Sequence, residues 1–407
     1  MKKATKKGIH RAVHGRHGTA PRKVCFVITS FIHYSRSLLV LEELRKRPNV
    51  DLHIIIGGTA LLSKYSSKFA HVKAALLEDG FKNIYELYFN LEGDEAITKA
   101  KTVGVGIVEF ATLFNHIHPD IVVLRGDRFE ILAAAVAAAN MNIPIAHIEG
   151  GDLSGTLDEH TRHAITKLSQ IHFATNDAAR NRLLQMGENP ENVFNFGSPD
   201  VEVVKVIANG NHKADFGKTG SGAKIDFEKG FVMVMFHPVS TEPEETERAT
   251  GVLLDAVAGL DIPAVWFWPN FDTGAEQISH RLRVFNDEVP AHKIHFMRYL
   301  PPKDFIWLLN RAFCLVGNSS AGIKESSFLG IPVVNIGSRQ SNRLRGKNVK
   351  DVSVEKREIM NAIREQTAVK RYPSSDIYEG KDTAKRIAEV VATAPLDVQK
   401  KFHEKNK

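Results

Sequence analysis

Ten short apolar runs constrain the fold of this chain more than any other feature of its sequence. The first five runs are KVCFVITS (23–30), VDLHIIIGG (50–58), IVVLRGD (121–127), IPIAHIEGG (143–151) and IHFATN (171–176). Five more follow, at 231–238, 263–270, 294–301, 312–320 and 331–337. Longer segments with helical patterns separate the runs, and continuous apolar strands that alternate with helices indicate parallel sheets covered on both faces. The sequence therefore predicts an α/β protein with two Rossmann-like domains that face each other across a cleft.

The division into domains follows from the length and from one compositional break. A chain of 407 residues is too long for one ordinary core. Residues 208–230, which are rich in Gly, Lys and Asn, lie between the two series of runs and are predicted to be a linker. We expect an N-terminal domain over 23–207, a C-terminal domain over 231–380, and a last helix within 381–407 that crosses back to the first domain.

Positive charge is concentrated at the N-terminus. Residues 1–23 carry eight Lys and Arg and no Asp or Glu, and removing them changes the formal charge from +7 to −1. We therefore expect residues 1–22 to be a disordered basic tail, with a transit peptide as the alternative, and nucleic acid is not a predicted partner.

Cysteine usage and hydropathy point to a cytoplasmic protein. Cys25 and Cys314 lie far apart in apolar runs without metal-ligand spacing, so both are predicted to be reduced core residues. No run reaches the ~18 apolar residues of a membrane span. The sequence predicts no metal, no cofactor and no membrane partner.

Carboxylates follow two strands of the first series at the point where each strand ends. Asp127 follows IVVLRG, and Glu149 follows IPIAHI. Ligands of open parallel sheets bind beyond the carboxyl ends of the strands, so both side chains are expected on one ligand-binding edge. Capping of the next helix is the alternative for Asp127, whereas Glu149, between an apolar strand and two glycines, has few structural duties.

The segment after Glu149 has local signals of its own. Thr156 and Glu159 fit a T-x-x-E capping box for a helix from Leu157 to about Leu168, which explains Glu159 without a ligand. Asp158 lies at the start of that helix, one turn before Arg162, and a simple ion pair between the two is the alternative to contact with a ligand.

The second series offers an anion site. His237 ends the run FVMVMF, and GNSSAGIKE (317–325) begins a helix at Ser319 or Ser320. Free N–H groups and hydroxyls at a helix start suit phosphate. Glu325, on the same predicted helix, is placed to accept hydrogen bonds from ribose hydroxyls. Solvated or structural positions are the alternatives for His237 and Glu325.

A third element of this predicted site is a loop with three arginines, GSRQSNRLRGKN (337–348). Its density of arginine beside a phosphate site favours neutralisation of phosphate charge. A solvated loop is the competing interpretation.

Long ordered motifs resemble one family. The motifs are RGDRFEILAAAVAAANMNIPIAHIEGGDLSGTLDEHTRHAITKLS, FHPVSTE, PNFDTG and GNSSAGIKESSFLGIPVVNIGSRQSNRLRGKNV. They closely resemble the hydrolysing UDP-N-acetylglucosamine 2-epimerases, which include bacterial sialic-acid-pathway enzymes and the epimerase half of the bifunctional animal enzyme. The similarity runs from about residue 23 to about residue 390. HIEGG followed by SGT and RHAITKL is typical of the hydrolysing branch, whereas the non-hydrolysing branch tends to show a segment similar to HVEAGLRTG.

The resemblance implies the glycosyltransferase-B fold and the conversion of UDP-N-acetylglucosamine and water to N-acetylmannosamine and UDP. In such enzymes the C2 proton is removed while UDP leaves C1, and water then adds to the 2-acetamidoglucal with inverted configuration at C2. Carboxylates suit this work, since one takes a carbon-bound proton and another delivers a proton or positions water. The resemblance also implies a UDP-sugar ligand, no cofactor, and a homo-oligomer, either a dimer or a tetramer.

Site residues carry over position by position. The catalytic positions implied are Asp127, Glu149, Asp158, the adjacent Glu159, and His237, which matches the family's histidine near the diphosphate. The substrate-binding positions implied are Arg36, Asp272, Ser319, Ser320, Gly322, Glu325 and Arg343.

One position departs from the family pattern. The family carries an arginine in forms such as TxRxxYSR, but TSFIHYSR (29–36) has Phe31 there, which cannot donate to phosphate. His33 or Arg36 is placed to compensate. Three alternatives stay open: the same chemistry on a modified sugar such as UDP-N,N'-diacetylbacillosamine, a glycosyltransferase of the same fold, and, motivated by Phe31, a nucleotide-sugar-binding protein without turnover.

Overall fold

A computed structural model describes residues 20–404, apart from 62–71, 94, 213, 215, 217–218, 240–242, 270–273, 290–291 and 299. Most of the predicted basic tail and the predicted ligand-binding residue Asp272 lie outside the described residues. Arg22, assigned from the sequence to the end of the tail, is the first residue of the first strand.

The N-terminal domain is built on a seven-stranded parallel sheet. Its elements are β1 (Arg22–Ile28), α1 (Phe31–Arg45), β2 (Val50–Ile56), α2 (Val72–Glu78), β3 (Asn83–Glu86), α3 (Ala96–Ile117), β4 (Ile121–Arg125), α4 (Phe129–Asn140), β5 (Ile145–Ile148), α5 (Asp158–Leu168), β6 (Ile171–Ala174), α6 (Asp177–Gln185), β7 (Val193–Asn195) and α7 (Pro199–Ala208). The strand order is β3-β2-β1-β4-β5-β6-β7, and every pairing is parallel. This order places the ends of β1, β4 and β5 side by side at the centre of the sheet.

The apolar runs follow from burial on both faces of this sheet. In β1, Val24, Phe26 and Ile28 face one core, while Cys25 and Val27 face the other. All five residues of β4 are buried. Burial raises the pKa of the Cys25 thiol to about 12, so this cysteine is a neutral core residue.

The C-terminal domain repeats the plan. Its elements are β8 (Ser221–Gly222), β9 (Val232–Met235), α8 (Pro243–Ala258), β10 (Ala264–Phe267), α9 (Ala275–Glu288), β11 (Ile294–Met297), α10 (Pro302–Arg311), β12 (Cys314–Gly317), α11 (Ser320–Ile323), α12 (Glu325–Leu329), β13 (Val333–Ile336), β14 (Val349–Val352), α13 (Lys356–Ala368) and α14 (Thr383–Thr393). The strand order is β14-β13-β12-β9-β10-β11-β8, with β8 antiparallel to β11. The prediction of an α/β protein with two parallel-sheet domains is confirmed.

Each of the ten apolar runs coincides with a strand, and the described strands that were not predicted lie at the edges of the two sheets. These are β3, β7, β8 and β14. Their segments are short and partly exposed, such as NIYE in β3 and VKDV in β14. A partly exposed edge strand does not need a continuous apolar run. The pattern that identified the central strands is therefore absent from these segments.

The last described helix packs on the N-terminal domain. Helix α14 packs against α1, and its residues Ile387, Ala388 and Val391 are buried in the same core as β1. The Arg22 guanidinium donates to the backbone oxygens of Val391 and Ala394 at 2.8 and 3.0 Å. The chain therefore crosses between the domains twice, once after α7 and once before α14. Within the described part of the chain, no helix has the length and apolar character needed to cross a membrane.

Candidate active site

A cavity of about 770 Å³ lies between the two domains. The residues that follow β1, β4 and β5 line it from one side, and those that follow β9, β10 and β12 line it from the other. The carboxyl ends of both parallel sheets therefore meet at one site, as expected for open α/β sheets.

Glu149 lines the cavity in a strained backbone conformation. It follows β5 directly and has a φ of +72°, a left-handed conformation that residues with a Cβ rarely adopt. Its N–H donates to the carbonyl of Phe173 at 3.0 Å, which holds the turn against β6. Gly151, two residues on, also has a positive φ, and a Cβ there would lie 2.3 Å from the carbonyl oxygen of Ala179. Strain of this kind concentrates at functional sites.

Two cations contact the carboxylate of Glu149. Nζ of Lys324 lies 2.6 Å from Oε1, and Nη2 of Arg125 lies 3.3 Å from the same oxygen. Burial by itself raises the pKa of Glu149, but Lys324 and Arg125 together hold that pKa well below its usual range. Glu149 is therefore an ionised carboxylate at neutral pH.

Asp127 pairs with an arginine of α5, the helix that follows the neighbouring strand β5. Arg162 of α5 forms an ion pair with Asp127, and its Nη1 donates to the carbonyl of Asp152 at 2.7 Å. The ion pair expected between Arg162 and Asp158 is replaced by these contacts, because α5 directs Arg162 back to the end of β4. Helix capping does not explain Asp127, since α4 takes Arg128 as its N-cap without a side-chain hydrogen bond.

The predicted capping box is wrong. Helix α5 begins at Asp158, one residue later than predicted, and its N-cap is Leu157. The Thr156 hydroxyl donates to Oδ2 of Asp158 at 3.0 Å, and Oε2 of Glu159 accepts from the Ser154 N–H at 2.7 Å. Asp158 lines the cavity, whereas Glu159 is described but is not part of its lining.

His237 lies on the opposite wall, after β9. Its N–H donates to Oδ1 of Asn318 at 2.8 Å, and the Asn318 amide donates back to the His237 carbonyl at 2.8 Å. This exchange ties the end of β9 to the end of β12, so His237 is held beside Ser319 and Ser320 in the lining of the cavity.

The single helix predicted after β12 is in fact two. Helix α11 has four residues and ends at Ile323, and its C-cap Lys324, with a φ of −96° and a ψ of −68°, separates it from α12. The Ser319 hydroxyl caps α11 by accepting from the Ala321 N–H at 3.3 Å. Because of the break, Glu325 belongs to α12 rather than to the helix that begins at Ser320. Gly322 is buried against Leu315 and Val333 and does not line the cavity.

Arg36 connects the two domains across the cavity. From α1, its Nη2 donates to Oε1 of Glu325 at 2.6 Å and to the Ser320 hydroxyl at 3.3 Å. The other oxygen of Glu325, Oε2, is buried without a hydrogen-bond partner. A buried carboxylate oxygen without a partner is costly, so a ligand hydroxyl would complete this site.

Two loops meet at the cavity just before the start of α5. Nε of Arg343 donates to the Leu153 carbonyl at 3.0 Å, and the Gly155 N–H donates to the Arg339 carbonyl at 3.1 Å. A Cβ on Gly155 would lie 1.9 Å from the carbonyl oxygen of Ser338, so only glycine permits this approach. Arg339 and Arg343 both line the cavity.

Phe31 also lines the cavity, at the first position of α1. Its ring is 6.1 Å from that of Tyr34, in an edge-on arrangement. The helix therefore presents an apolar side chain at the position of the family arginine, and a guanidinium, Arg36, about one turn later.

Three charged groups in the cavity were not predicted from the sequence: Arg125, Asp200 and Lys324. Arg125 is 1% exposed and pairs with Asp200 at the start of α7, and Lys324 is a buried lysine. The signal for Arg125 was available, because a charged residue ends an otherwise apolar strand. Asp200 and Lys324 gave none, since their partners are far away in the chain. Among the described residues, no group of three His, Cys, Asp or Glu side chains is placed to hold a metal ion.

This chain is similar to the proteins of one described family. The family described as UDP-N-acetylglucosamine 2-epimerase matches residues 42–392. The Legionella pneumophila UDP-N,N'-diacetylbacillosamine 2-epimerase (hydrolyzing) is 31% identical over 378 residues, which cover 93% of this chain and 97% of that protein. The Neisseria meningitidis UDP-N-acetylglucosamine 2-epimerase is 31% identical over 375 residues, 90% of this chain and 95% of that protein.

A solved structure shares the fold. The Methanocaldococcus jannaschii UDP-GlcNAc 2-epimerase in complex with UDP-GlcNAc and UDP superposes with a TM-score of 0.74 at 17% identity, covering 91% of this chain and 99% of that one. The matched span and the identity over nearly the whole length of both relatives show that this chain belongs to the UDP-N-acetylglucosamine 2-epimerase family.

Proposed function

We propose that this protein is a hydrolysing epimerase that converts UDP-N-acetylglucosamine and water to N-acetylmannosamine and UDP. The observation that carries the proposal is the strained, ionised Glu149, which shares one cavity with Asp127 and Asp158. Membership of a 2-epimerase family indicates that the reaction takes place at C2 of the sugar. The Legionella relative is named as a hydrolyzing enzyme, and this similarity together with the HIEGG…SGT segment favours the hydrolysing branch.

The elimination step requires a base and a stabilised leaving group. A carboxylate takes the C2 proton, the C1–O bond breaks, and the electron pair forms the C1–C2 double bond of 2-acetamidoglucal as UDP leaves. Glu149 is the candidate base because it is ionised at neutral pH. The diphosphate then meets Arg36, His237 and Arg343 on the wall of the cavity, where the arginine side chains neutralise its charge.

The addition step returns a proton to C2 on the opposite face and hydroxide to C1. Asp127 and Asp158 are the candidates for delivering the proton and positioning water, since both line the same cavity as Glu149. Asp127 is held by Arg162, while Asp158 accepts the Thr156 hydroxyl. Atoms balance over the two steps, because one water replaces UDP and the C2 proton is exchanged with solvent.

A modified sugar is the second candidate substrate. The 31% identity to an enzyme named for UDP-N,N'-diacetylbacillosamine favours it. So does Phe31, which adds an apolar surface to the cavity where the resemblance predicts an arginine.

Turnover in D2O, followed by NMR, tests the proposal. N-acetylmannosamine deuterated at C2, together with free UDP, is the expected product of UDP-N-acetylglucosamine. UDP-N-acetylmannosamine would indicate the non-hydrolysing reaction, and turnover of the diacetyl sugar alone would select the second candidate. UDP binding without turnover of either sugar would contradict both. Glu149→Gln should abolish deuterium incorporation, whereas Glu191→Gln, a matched change at an exposed position, should not.

A further inference from the structure

Lys324 is a buried lysine that reaches from the C-terminal domain into the carboxylates of the N-terminal domain. Its side chain is 3% exposed, and its Nζ lies 2.6 Å from Oε1 of Glu149, 3.3 Å from Asp152 and 3.7 Å from Asp200. Lysine is almost never fully buried unless it is paired. The break between α11 and α12 therefore places a cation, at a desolvation cost, on the candidate base.

The segment that carries Lys324 also carries Ser320 and Glu325, which are proposed to contact the nucleotide and are called the nucleotide-side contacts below. Ser320, four residues earlier, and Glu325, one residue later, both accept hydrogen bonds from Arg36. Gly322 fits tightly against β12 and β13, because a Cβ there would lie 3.1 Å from Leu315 and 3.0 Å from Val333. This segment therefore joins the nucleotide-side contacts to the carboxylate cluster through a short, tightly packed piece of chain.

The two cations on Glu149 have different origins. Arg125 belongs to the same domain as Glu149, where Asp200 and the Ser37 hydroxyl hold it in place. Lys324 belongs to the other domain. Separation of the domains would leave Arg125 on Glu149 and remove Lys324. Of these two cations, Lys324 is therefore the one that couples the carboxylate to closure of the cleft.

Other charged and titratable groups surround the ion pair of Lys324 and Glu149. The pKa of His33 is held well below its usual range by burial and by Arg128 and Arg125, so His33 adds no charge at neutral pH. Further groups include Arg36 of α1 with its partner Glu325, Asp200 of α7, Asp152 after β5, the Asp127–Arg162 pair, and Tyr378, whose ring centroid is 5.7 Å from Nζ of Lys324.

We propose that Lys324 is the positioning residue of the acid–base centre: from the nucleotide-side domain it holds Oε1 of Glu149, so that Oε2 meets the sugar only when the domains are closed. The inference rests on the function proposed above. Without Lys324, burial would raise the pKa of Glu149 against weaker opposition from Arg125 and Arg36. Glu149 would then be protonated at a higher pH, and the acid limb of the profile of kcat against pH would shift to higher pH.

The test compares Lys324→Met and Lys324→Arg with the wild-type protein. Lys205→Met is the matched control, because Lys205 forms an exposed lysine–carboxylate pair with Glu379 at 2.5 Å, outside the lining of the cavity. We expect Lys324→Met to lower kcat about tenfold or more. We also expect the acid limb of its kcat–pH profile to shift by about one unit to higher pH. UDP affinity measured by calorimetry should stay within about threefold, since the proposed diphosphate contacts remain. Lys324→Arg should restore the acid limb, and Lys205→Met should change none of these quantities.

Unchanged kcat and an unchanged acid limb in Lys324→Met would overturn the inference, as would a rise in KM alone, which would make Lys324 a ligand contact. Thermal unfolding separates this failure from failure of the proposed function. The losses in Tm of Lys324→Met and Glu149→Gln should add to more than the loss of the double variant if the two side chains pair. Coupled losses in a protein that turns over neither sugar would overturn the proposed function and leave the pairing supported. Additive losses in an active enzyme would overturn the inference alone.

Discussion

Glu188 follows α6 and ties the C-terminal tail to the N-terminal domain. Its carboxylate, 1% exposed, lies 2.8 Å from Nε2 of His172, 2.9 Å from Nζ of Lys167 and 2.5 Å from Nζ of Lys400. Lys400 also donates to the carbonyl of Thr166, in the last turn of α5, at 2.7 Å. The cluster therefore anchors the end of the helix that carries Asp158 and Arg162.

The contribution of this cluster to the free energy of unfolding follows from the pKa of Glu188. Burial raises this pKa, but contacts with His172, Lys400 and Lys167 lower it from 4.5 to about 2. A shift of this size corresponds to about 3 kcal/mol at 1.36 kcal/mol per unit, and to about 2 kcal/mol after allowance for the partly exposed partners Lys167 and Lys400. Because the folded-state pKa is the lower one, this stability is fully present above pH 4.5 and is lost as the pH falls toward 2.

The perturbation is Glu188→Gln, with Glu191→Gln as an exposed control three residues away. At pH 7 we expect a Tm lower by about 5 °C for a domain of this size. The difference from wild type should shrink between pH 4.5 and pH 2, where Glu188 of the wild-type protein becomes protonated. Scanning calorimetry at a series of pH values measures this. A difference in Tm that stays constant from pH 7 to pH 3 would refute the electrostatic reasoning and reduce the role of Glu188 to packing.

Three further predictions concern the cavity. Gly155→Val, whose Cβ would lie 1.9 Å from the Ser338 carbonyl oxygen, should lower kcat/KM about tenfold or more by holding the two loops apart; wild-type kinetics would contradict that contact. Phe31→Arg should tighten UDP binding about tenfold in calorimetry, because it adds a guanidinium to the cavity wall; unchanged affinity would count against Phe31 occupying the position of the family arginine. Arg162→Met should lower the free energy of unfolding by about 3 kcal/mol, measured in urea, because it leaves Asp127 without its ion-pair partner; a loss near zero would show that the pair is unimportant.

The central strands were predictable because their signal is local. A strand such as β4, buried on both faces, must be apolar along its whole length. The same logic placed Asp127 and Glu149 on one edge, since parallel strands end at the same side of a sheet. The edge strands β3 and β14 escaped prediction because partial exposure removes the requirement for apolar residues.

The partners of the charged residues were decided by tertiary structure. Local spacing favoured Asp158 as the partner of Arg162, but α5 turns that guanidinium toward Asp127. Lys324 and Glu149 are 175 residues apart, and they meet only because two domains place the ends of β5 and α11 against one cavity. Periodicity and capping depend on neighbours in the chain and can be read from the sequence by itself. An ion pair across a cleft depends on how two folded domains are set against each other, and no short stretch of sequence contains that information.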